Sequence, residues 1–400
     1  MRKSEKLINT AKNMLNTANH LTYQAKINNG SFYTPPELVN YVWKLINPFL
    51  EKNTIILDTS AGKGSFFLNR ENNNLLLIAN DNDKLAVNYL KENFPHLLII
   101  QKNALTNIKR TEYGIKDNQK LIIIGNPPYN DITSLKARKI KENSLNNLTI
   151  DPQIKSRDLG ISFLRSYYQL KADYVCVLHP LSYLIKETNF NHLKEFKDNY
   201  RLLKSLVVDS KKFSDAKGAS FPISISLYQL DKKGMNYEYI KNFSFQLENG
   251  KQFSLNSFQF LTDLVNKYPK KTIFPKGQYK DLTDKSYISD EYLNNLFFFT
   301  FRDINSIMRN RTFIQEFNNY SIPIRKDKLK YYAYIDYFKE KFRDIPFYLR
   351  NFDVFYNPNF QEKDWKYFTQ RISSKLEKKE PPKLTKTKNI KEFEAWVANL

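Results

Sequence analysis

Thr54-Ile55-Ile56-Leu57-Asp58-Thr59-Ser60-Ala61-Gly62-Lys63-Gly64 and, further along, Leu121-Ile122-Ile123-Ile124-Gly125-Asn126-Pro127-Pro128-Tyr129 are the two stretches on which the fold turns. Each is a short apolar run that stops abruptly. The first ends at an acid and a glycine turn, the second at a polar residue, two prolines and an aromatic. Apolar runs without polar alternation are expected of strands buried on both faces. Similar runs at Leu75–Ala79, Leu98–Ile100, Tyr174–Leu178 and Ser205–Val208 are separated mostly by helical candidates, and Ile223–Tyr228 adds a β-rich strand near the edge. The pattern predicts an α/β fold, a mostly parallel sheet with an antiparallel edge strand. Such a sheet takes ligands beyond the carboxyl ends of its strands, where the Gly62–Gly64 turn, Asp81 and Asn126 would converge.

The chain of 400 residues is long enough for two domains, each with its own core. Lys and Arg number 63 against 41 Asp and Glu, a formal charge of +22, and aromatics make up 15%. A basic surface with aromatics suits nucleic acid, and neither half of the chain is a detachable basic tail. The single cysteine, Cys176, lies in an apolar run, which excludes a disulfide framework and a cysteine-based zinc site; no metal is expected. Met1-Arg2-Lys3 leads into polar sequence, and no stretch approaches 18 uncharged apolar residues. The expectation is a cytoplasmic protein without a membrane segment.

Ser4–Lys26 reads as an amphipathic helix, and Pro35-Pro36-Glu37 opens a second helix through Leu45. After Met235 the βαβ alternation ends and aromatics crowd together, as in Phe297-Phe298-Phe299, which sets domains at 1–235 and 236–400. In the second domain a long helix is predicted from Asp290 to Phe317, and Pro381-Pro382 with the lysines through Lys391 reads as a tether before a terminal amphipathic helix.

Glycines in Asp58-x-x-x-Gly62-x-Gly64 let backbone approach a ligand where a Cβ would collide. The spacing is not that of a phosphate-binding Walker loop, and the third glycine of a dinucleotide fingerprint is absent. Asp81, at the end of its strand, is placed to accept both hydroxyls of a ribose, with Asp83 as a competitor that suits a helix cap instead. Asn103, after the third strand, can bond an adenine edge. At the other end of the site, the Asn126 side-chain oxygen and the Pro127 carbonyl can each accept one N–H of an exocyclic amine. That favours a pyramidal nitrogen and stabilises the charge that develops as it attacks a methyl sulfonium. Pro127 and Pro128 hold the acceptors in place, and Tyr129 can stack on a base.

Asn126-Pro127-Pro128-Tyr129, the Asp58-to-Gly64 turn and Gly30-Ser31-Phe32-Tyr33-Thr34-Pro35-Pro36 together resemble the S-adenosylmethionine-dependent amino-methyltransferases of DNA adenine. Their order, with a large C-terminal region last, resembles the gamma group, in which target recognition lies C-terminal. The likeness is close over about residues 28–230 and rests on layout alone beyond. It implies a Rossmann-like methyltransferase sheet followed by a mixed or mainly helical target-recognition domain. It also implies that Phe32, Tyr33, Thr34 and Pro35 line the methionine side of the cofactor, that Asp58, Ser60, Gly62 and Gly64 sit beside it, and that Asp81 holds the ribose. Asn103 and Leu105 would face the adenine, where Asn103 departs from the family's usual Asp. Phe213 resembles the aromatic that sandwiches the flipped base opposite Tyr129, with Phe221 as its rival.

The resemblance implies double-stranded DNA as substrate, a bacterial nucleoid setting, a monomer or weak dimer, and a solitary enzyme or one paired with a separate restriction endonuclease. Arg302, Arg309, Arg311, Arg325, Lys326, Lys328 and Lys330, which alternate with aromatics, are the candidates for DNA contact. Cytosine N4, ribosomal RNA and a release-factor glutamine are alternative targets, since each offers an amine or amide to the same acceptors. Asp364, Glu377 and Lys379 loosely mimic a nuclease carboxylate–lysine site, but Glu377-Lys378-Lys379-Glu380 reads as a helical charge run.

Overall fold

The computed structural model describes residues 34–70, 74–129, 149–213, 220–266, 299–301, 306–308, 312–313, 321–376 and 384–400. The predicted helix at Ser4–Lys26 lies outside them. The described chain forms two compact units that divide between Ser254 and Leu255.

In the first unit, α1 (Pro36–Ile46) begins with proline where no intrahelical acceptor is needed. It is followed by β1 (Thr54–Asp58), β2 (Leu75–Asp81), α2 (Lys84–Asn93), β3 (Leu98–Gln101), β4 (Leu121–Gly125), α3 (Leu159–Gln169) and β5 (Tyr174–Pro180). Three short helices, α4 (Ser182–Ile185), α5 (Glu187–Asn191) and α6 (Glu195–Asn199), lead to β6 (Tyr200–Asp209) and β7 (Pro222–Leu230), then α7 (Tyr237–Asn242), β8 (Phe245–Leu247) and β9 (Gln252–Phe253). The strands make one sheet in the order β3-β2-β1-β4-β5-β7-β6-β8-β9. Each apolar run of the sequence became a strand, and β1 and β4 are buried at every position because sheet neighbours and covering elements enclose them.

Two details differ from the expectation. The antiparallel strand β7 is internal, paired on both sides to β5 and β6, and the antiparallel strand at the edge is the short β9. β8 pairs in parallel with β6, so residues 236–254 extend the first unit's sheet and the compact boundary falls after Ser254 rather than after Met235. The sequence signal was weak because β8 and β9 are too short to show periodicity.

The buried positions of α1 (Leu38, Val39, Val42, Trp43 and Ile46) form one helix face and pack with Ile56, Leu77, Ile122, Ile124, Cys176 and Leu178 from the sheet. α3 is tied to the turn after β1 by a hydrogen bond of 3.4 Å from the Thr59 hydroxyl to Tyr167 Oη. The register sets Asp58 beside Ala79, two residues before Asp81, and Leu57 beside Ile123, two before Gly125, so the turns after β1, β2 and β4 open on the same edge of the sheet.

The second unit contains β10 (Gln259–Phe260), α8 (Leu261–Asn266), β11 (Phe299–Phe301), β12 (Ser321–Pro323), α9 (Leu329–Lys341), β13 (Phe355–Tyr356), α10 (Glu362–Leu376) and α11 (Lys388–Ala398). Its core is aromatic: Tyr334 of α9 meets Phe360, Trp365 and Phe368 edge-on, an arrangement that aligns ring edges with ring faces. The predicted helix at Asp290–Phe317 is corrected in its described part, since Phe299–Phe301 pairs antiparallel with Ser321–Pro323. The terminal helix is present, but it starts at Lys388, capped by the Thr387 hydroxyl, inside the stretch read as a tether. The buried Asp364 accepts hydrogen bonds from Gln361 N, Asn389 Nδ2 and the Thr387 hydroxyl, which makes it a joint between α10 and α11. Glu377 and Lys379 lie outside the described residues.

Candidate active site

The glycine turn after β1 and the acid that ends β2 interlock. Gly62 has φ of 54°, and nothing lies within 4 Å of where its Cβ would stand. The turn thus presents open backbone, a cradle for a ligand. Gly64, at φ of 77°, is glycine for the opposite reason: a Cβ would come within 2.8 Å of Leu90 Cδ2. Gly62 N–H donates to Asp81 Oδ2 at 2.7 Å, and Asp83 N–H donates to Asp81 Oδ1 at 2.9 Å. The Asn82 N–H also bonds this carboxylate, which with roughly four acceptor sites keeps capacity for a ribose hydroxyl. Burial raises the Asp81 pKa, and these backbone donors oppose the rise. Asp83 caps α2 by accepting from Leu85 N at 2.9 Å, the role its sequence context suggested.

Asp58 is buried, and loss of hydration pushes its carboxyl up to about 8 despite a hydrogen bond from Ser60 N at 3.0 Å. It sits against Gly125, whose φ is 149° and whose Cβ, if it had one, would stand 2.7 Å from Asp58 Oδ1. Gly125 therefore couples the glycine turn to the residue that follows it, Asn126. Asn126 Nδ2 donates to the buried Thr34 hydroxyl at 3.3 Å, which fixes the orientation of the amide. Its Oδ1 is buried and meets no hydrogen-bond donor among the described residues. An orphaned buried acceptor of this kind is costly unless a ligand completes it. Pro127 is buried and Tyr129 is half-buried, with burial raising the Tyr129 hydroxyl pKa.

Asn103 closes the loop after β3, its Oδ1 accepting from Leu105 N at 3.0 Å and its Nδ2 donating to Thr149 O at 2.7 Å. Its amide is therefore engaged in holding the loop, and Leu105 is buried. The sequence reading missed Asn80. Fully buried at the penultimate position of β2, it donates to Thr59 O at 2.8 Å and Lys102 O at 3.1 Å, stitching the turn after β1 to the turn after β3. A polar residue inside the apolar run Leu75–Ala79 and its acid was the available signal.

Phe213 is 3% exposed and packs in the core cluster with the sheet, so its ring is not available to a base in this structure. Phe221 is half-buried at the margin of that cluster, and its backbone bonds to Ser210 place it on the same turn. Pro35 caps α1, while Phe32 and Tyr33 lie outside the described residues, as do Arg302, Arg309 and Arg311. Of the other basic candidates, Lys328 is corrected: it is 4% exposed and its Nζ donates to Val265 O, so it has no phosphate-facing surface. Arg325 pairs with Asp327 at 3.1 Å, Lys330 with Glu362 at 3.3 Å, and Lys326 is exposed. Among the described residues no cluster of side chains could hold a metal ion, and no helix is long and apolar enough to cross a membrane. Cys176 is buried, and burial raises its thiol pKa.

Residues 48–213 match the family model described as Eco57I restriction-modification methylase. This region is an S-adenosylmethionine-dependent methyltransferase domain. The match spans the glycine turn, Asp81 and the Asn126 tetrad, and the open cradle at Gly62 with the remaining acceptor capacity of Asp81 fits the cofactor. Among solved structures, the methyltransferase domain is similar to a protein assigned as a class I S-adenosylmethionine-dependent methyltransferase from Listeria monocytogenes, at 14% identity and a TM-score of 0.36, covering 53% of this chain and 63% of that one. A protein assigned as an RNA methyltransferase from Pyrococcus horikoshii aligns at 14% identity and a TM-score of 0.31, over 50% of this chain and 86% of that one. TYW2 from M. jannaschii in complex with AdoMet aligns at 14% identity and a TM-score of 0.30, over 50% and 78%. No curated protein matches the chain.

Proposed function

We propose that the chain transfers the methyl group of S-adenosylmethionine to the exocyclic N6 amine of an adenine flipped out of a specific double-stranded DNA sequence. The reading is carried by the buried Asn126 Oδ1, aimed by the Thr34 contact and left without a donor among the described residues. An amine N–H supplies the missing donor, and the Pro127 carbonyl takes the second N–H. The two acceptors draw the nitrogen lone pair out of ring conjugation toward the methyl carbon. Bound S-adenosylmethionine supplies that carbon as an electrophile on a sulfonium. Transfer of the methyl would leave the sulfur neutral and raise positive charge on the nitrogen, which the fixed neutral acceptors of Asn126 and Pro127 would stabilise without reorganisation. Asn126 is an amide and takes no proton, so the surplus proton leaves the product amine for solvent.

Asp58, Ser60, Gly62, Gly64, Asp81, Asn103 and Leu105, with Thr34 and Pro35, are the proposed cofactor shell. Tyr129 is the proposed stacking face, and Phe221, less buried than Phe213, is the better-exposed candidate for the opposite face. Sequence reading is assigned to residues after Ser254, supported by the basic excess of the chain and by exposed Lys326. The match to a restriction-modification methylase family model favours DNA over RNA or protein and makes a cognate endonuclease a reasonable partner. The test is labelling with tritiated S-adenosylmethionine. Methylation-free double-stranded DNA is expected to take up label, and ribosomal RNA or a release factor is not. Label in either of the latter alone would replace this reading.

A further inference from the structure

Two tyrosines converge on the first turn of α3. Asp158, its N-cap, accepts from Gly160 N at 3.0 Å with Oδ1, and the same oxygen accepts from the Tyr183 hydroxyl. Gly160 is the helix residue between them. A Cβ there would stand 2.5 Å from Tyr183 Oη and 3.0 Å from Tyr129 Cβ, so the absence of a side chain is what lets both tyrosines close on the helix. Tyr129, four residues beyond the end of β4, meets α3 at this contact, and a Cβ held against a helix end leaves few directions for its ring.

Tyr183 is fixed from behind. Its ring stacks on His179 with centroids 5.4 Å apart and an interplanar angle of 11°. His179 Nδ1 lies 3.0 Å from Pro180 O, an acceptor only, so Nδ1 carries the proton. Nε2 is then the acceptor of the bond at 2.7 Å with the Tyr228 hydroxyl on β7. His179, Tyr183 and Tyr228 are each at most 1% exposed. Burial holds His179 down to about 4, which keeps this single tautomer at neutral pH. Tyr183 is thus held at both ends, its hydroxyl by Asp158 and its ring by a histidine whose two nitrogens are both bonded, whereas an apolar filler would hold the space without fixing a direction.

We infer that Asp158, Tyr183 and Gly160 form a positioning device for Tyr129, setting the ring that receives the flipped base. The inference rests on the assignment of Tyr129 as the stacking residue. Asp158 and Tyr183 act through Tyr129 and touch neither cofactor nor target.

The experiment is a double-mutant cycle on the full chain, with single-turnover methylation of methylation-free genomic DNA by tritiated S-adenosylmethionine. Tyr183→Phe is expected to lower the rate about 10-fold while the S-adenosylmethionine Kd stays within about 2-fold, and Gly160→Ala is expected to lower it at least as far. In a Tyr129→Ala background, itself slow, neither change is expected to slow the reaction further. Equal effects in both backgrounds would overturn the device while leaving the role of Tyr129 standing. A Tyr129→Ala rate equal to wild type would instead remove the stacking assignment and the device with it. Should Gly160→Ala fail to fold, the Tyr183→Phe arm decides alone. A Tyr183→Phe rate equal to wild type, or a loss of cofactor affinity equal to its loss of rate, contradicts the inference.

Discussion

Asp81 and Asn126 stand at the carboxyl ends of β2 and the strand–turn of β4 in one sheet, yet they reach the site in opposite states. Both Asp81 oxygens already accept backbone N–H groups, from Gly62 and Asp83. Asn126 has its amide nitrogen committed to Thr34 and its buried oxygen without a donor among the described residues. On the proposed function, the cofactor end is assembled by the fold itself, and the reaction end is completed by substrate. The difference explains how one sheet edge separates binding from chemistry: a group that holds a ligand in the ground state is best prepaid by backbone contacts, whereas an acceptor that must strengthen in the transition state is best left waiting.

The contrast breaks most sharply at Asn126. Asn126→Ala is expected to reduce turnover by about 100-fold or more with S-adenosylmethionine affinity nearly unchanged, measured by single-turnover kinetics and calorimetry. Equal losses in rate and cofactor affinity would erase the distinction between the two ends. Asp81→Ala is expected to do the reverse, weakening cofactor affinity by about 10-fold or more through lost ribose contacts and a loosened Gly62 turn. Asp83→Ala should cost about 1 kcal/mol of stability by uncapping α2, with a smaller effect on affinity. If the Asp83 change alone weakens binding, the two acids exchange roles.

A smaller effect concerns protons. The folded Asp58 carboxyl titrates at about 8 against an ordinary 3.8, so the stability it contributes is fully present below the lower value and is lost as pH rises through the higher one. Ligand-free protein should therefore lose thermal stability from about pH 5 to about pH 8, and Asp58→Asn should flatten that slope. A cationic cofactor beside Asp58 favours its ionised form. Calorimetry at neutral pH in buffers of different ionisation enthalpy should then show proton release on S-adenosylmethionine binding, diminished in Asp58→Asn. Binding without proton release would separate Asp58 from the cofactor charge.

The strands were legible because apolar runs such as Leu121–Ile124 are sharp and end at unmistakable punctuation, Asn126-Pro127-Pro128 or Gly62-Lys63-Gly64. The same local signals identified Asp83 as a cap. What escaped was set by tertiary context. β8 is three residues long and exists because β6 offers it an edge. Lys328 looks like a phosphate ligand in sequence and is buried against Val265 O. Phe213 matched a family pattern, but its place in the core depends on packing with α1 and the sheet that no local window contains. Gly160 was invisible for the same reason, and Asn80 showed only as a polar residue between an apolar run and its acid, since each matters for which distant groups meet it.

The most direct measurement is single-molecule sequencing of DNA from a methylation-free host that expresses the wild-type chain, with Asn126→Ala expressed in parallel. The expected result is N6-methyladenine confined to one sequence context in the first and absent from the second. Methylated cytosine N4 in its place, unmodified DNA, or adenine methylation that survives Asn126→Ala at the wild-type level would contradict it.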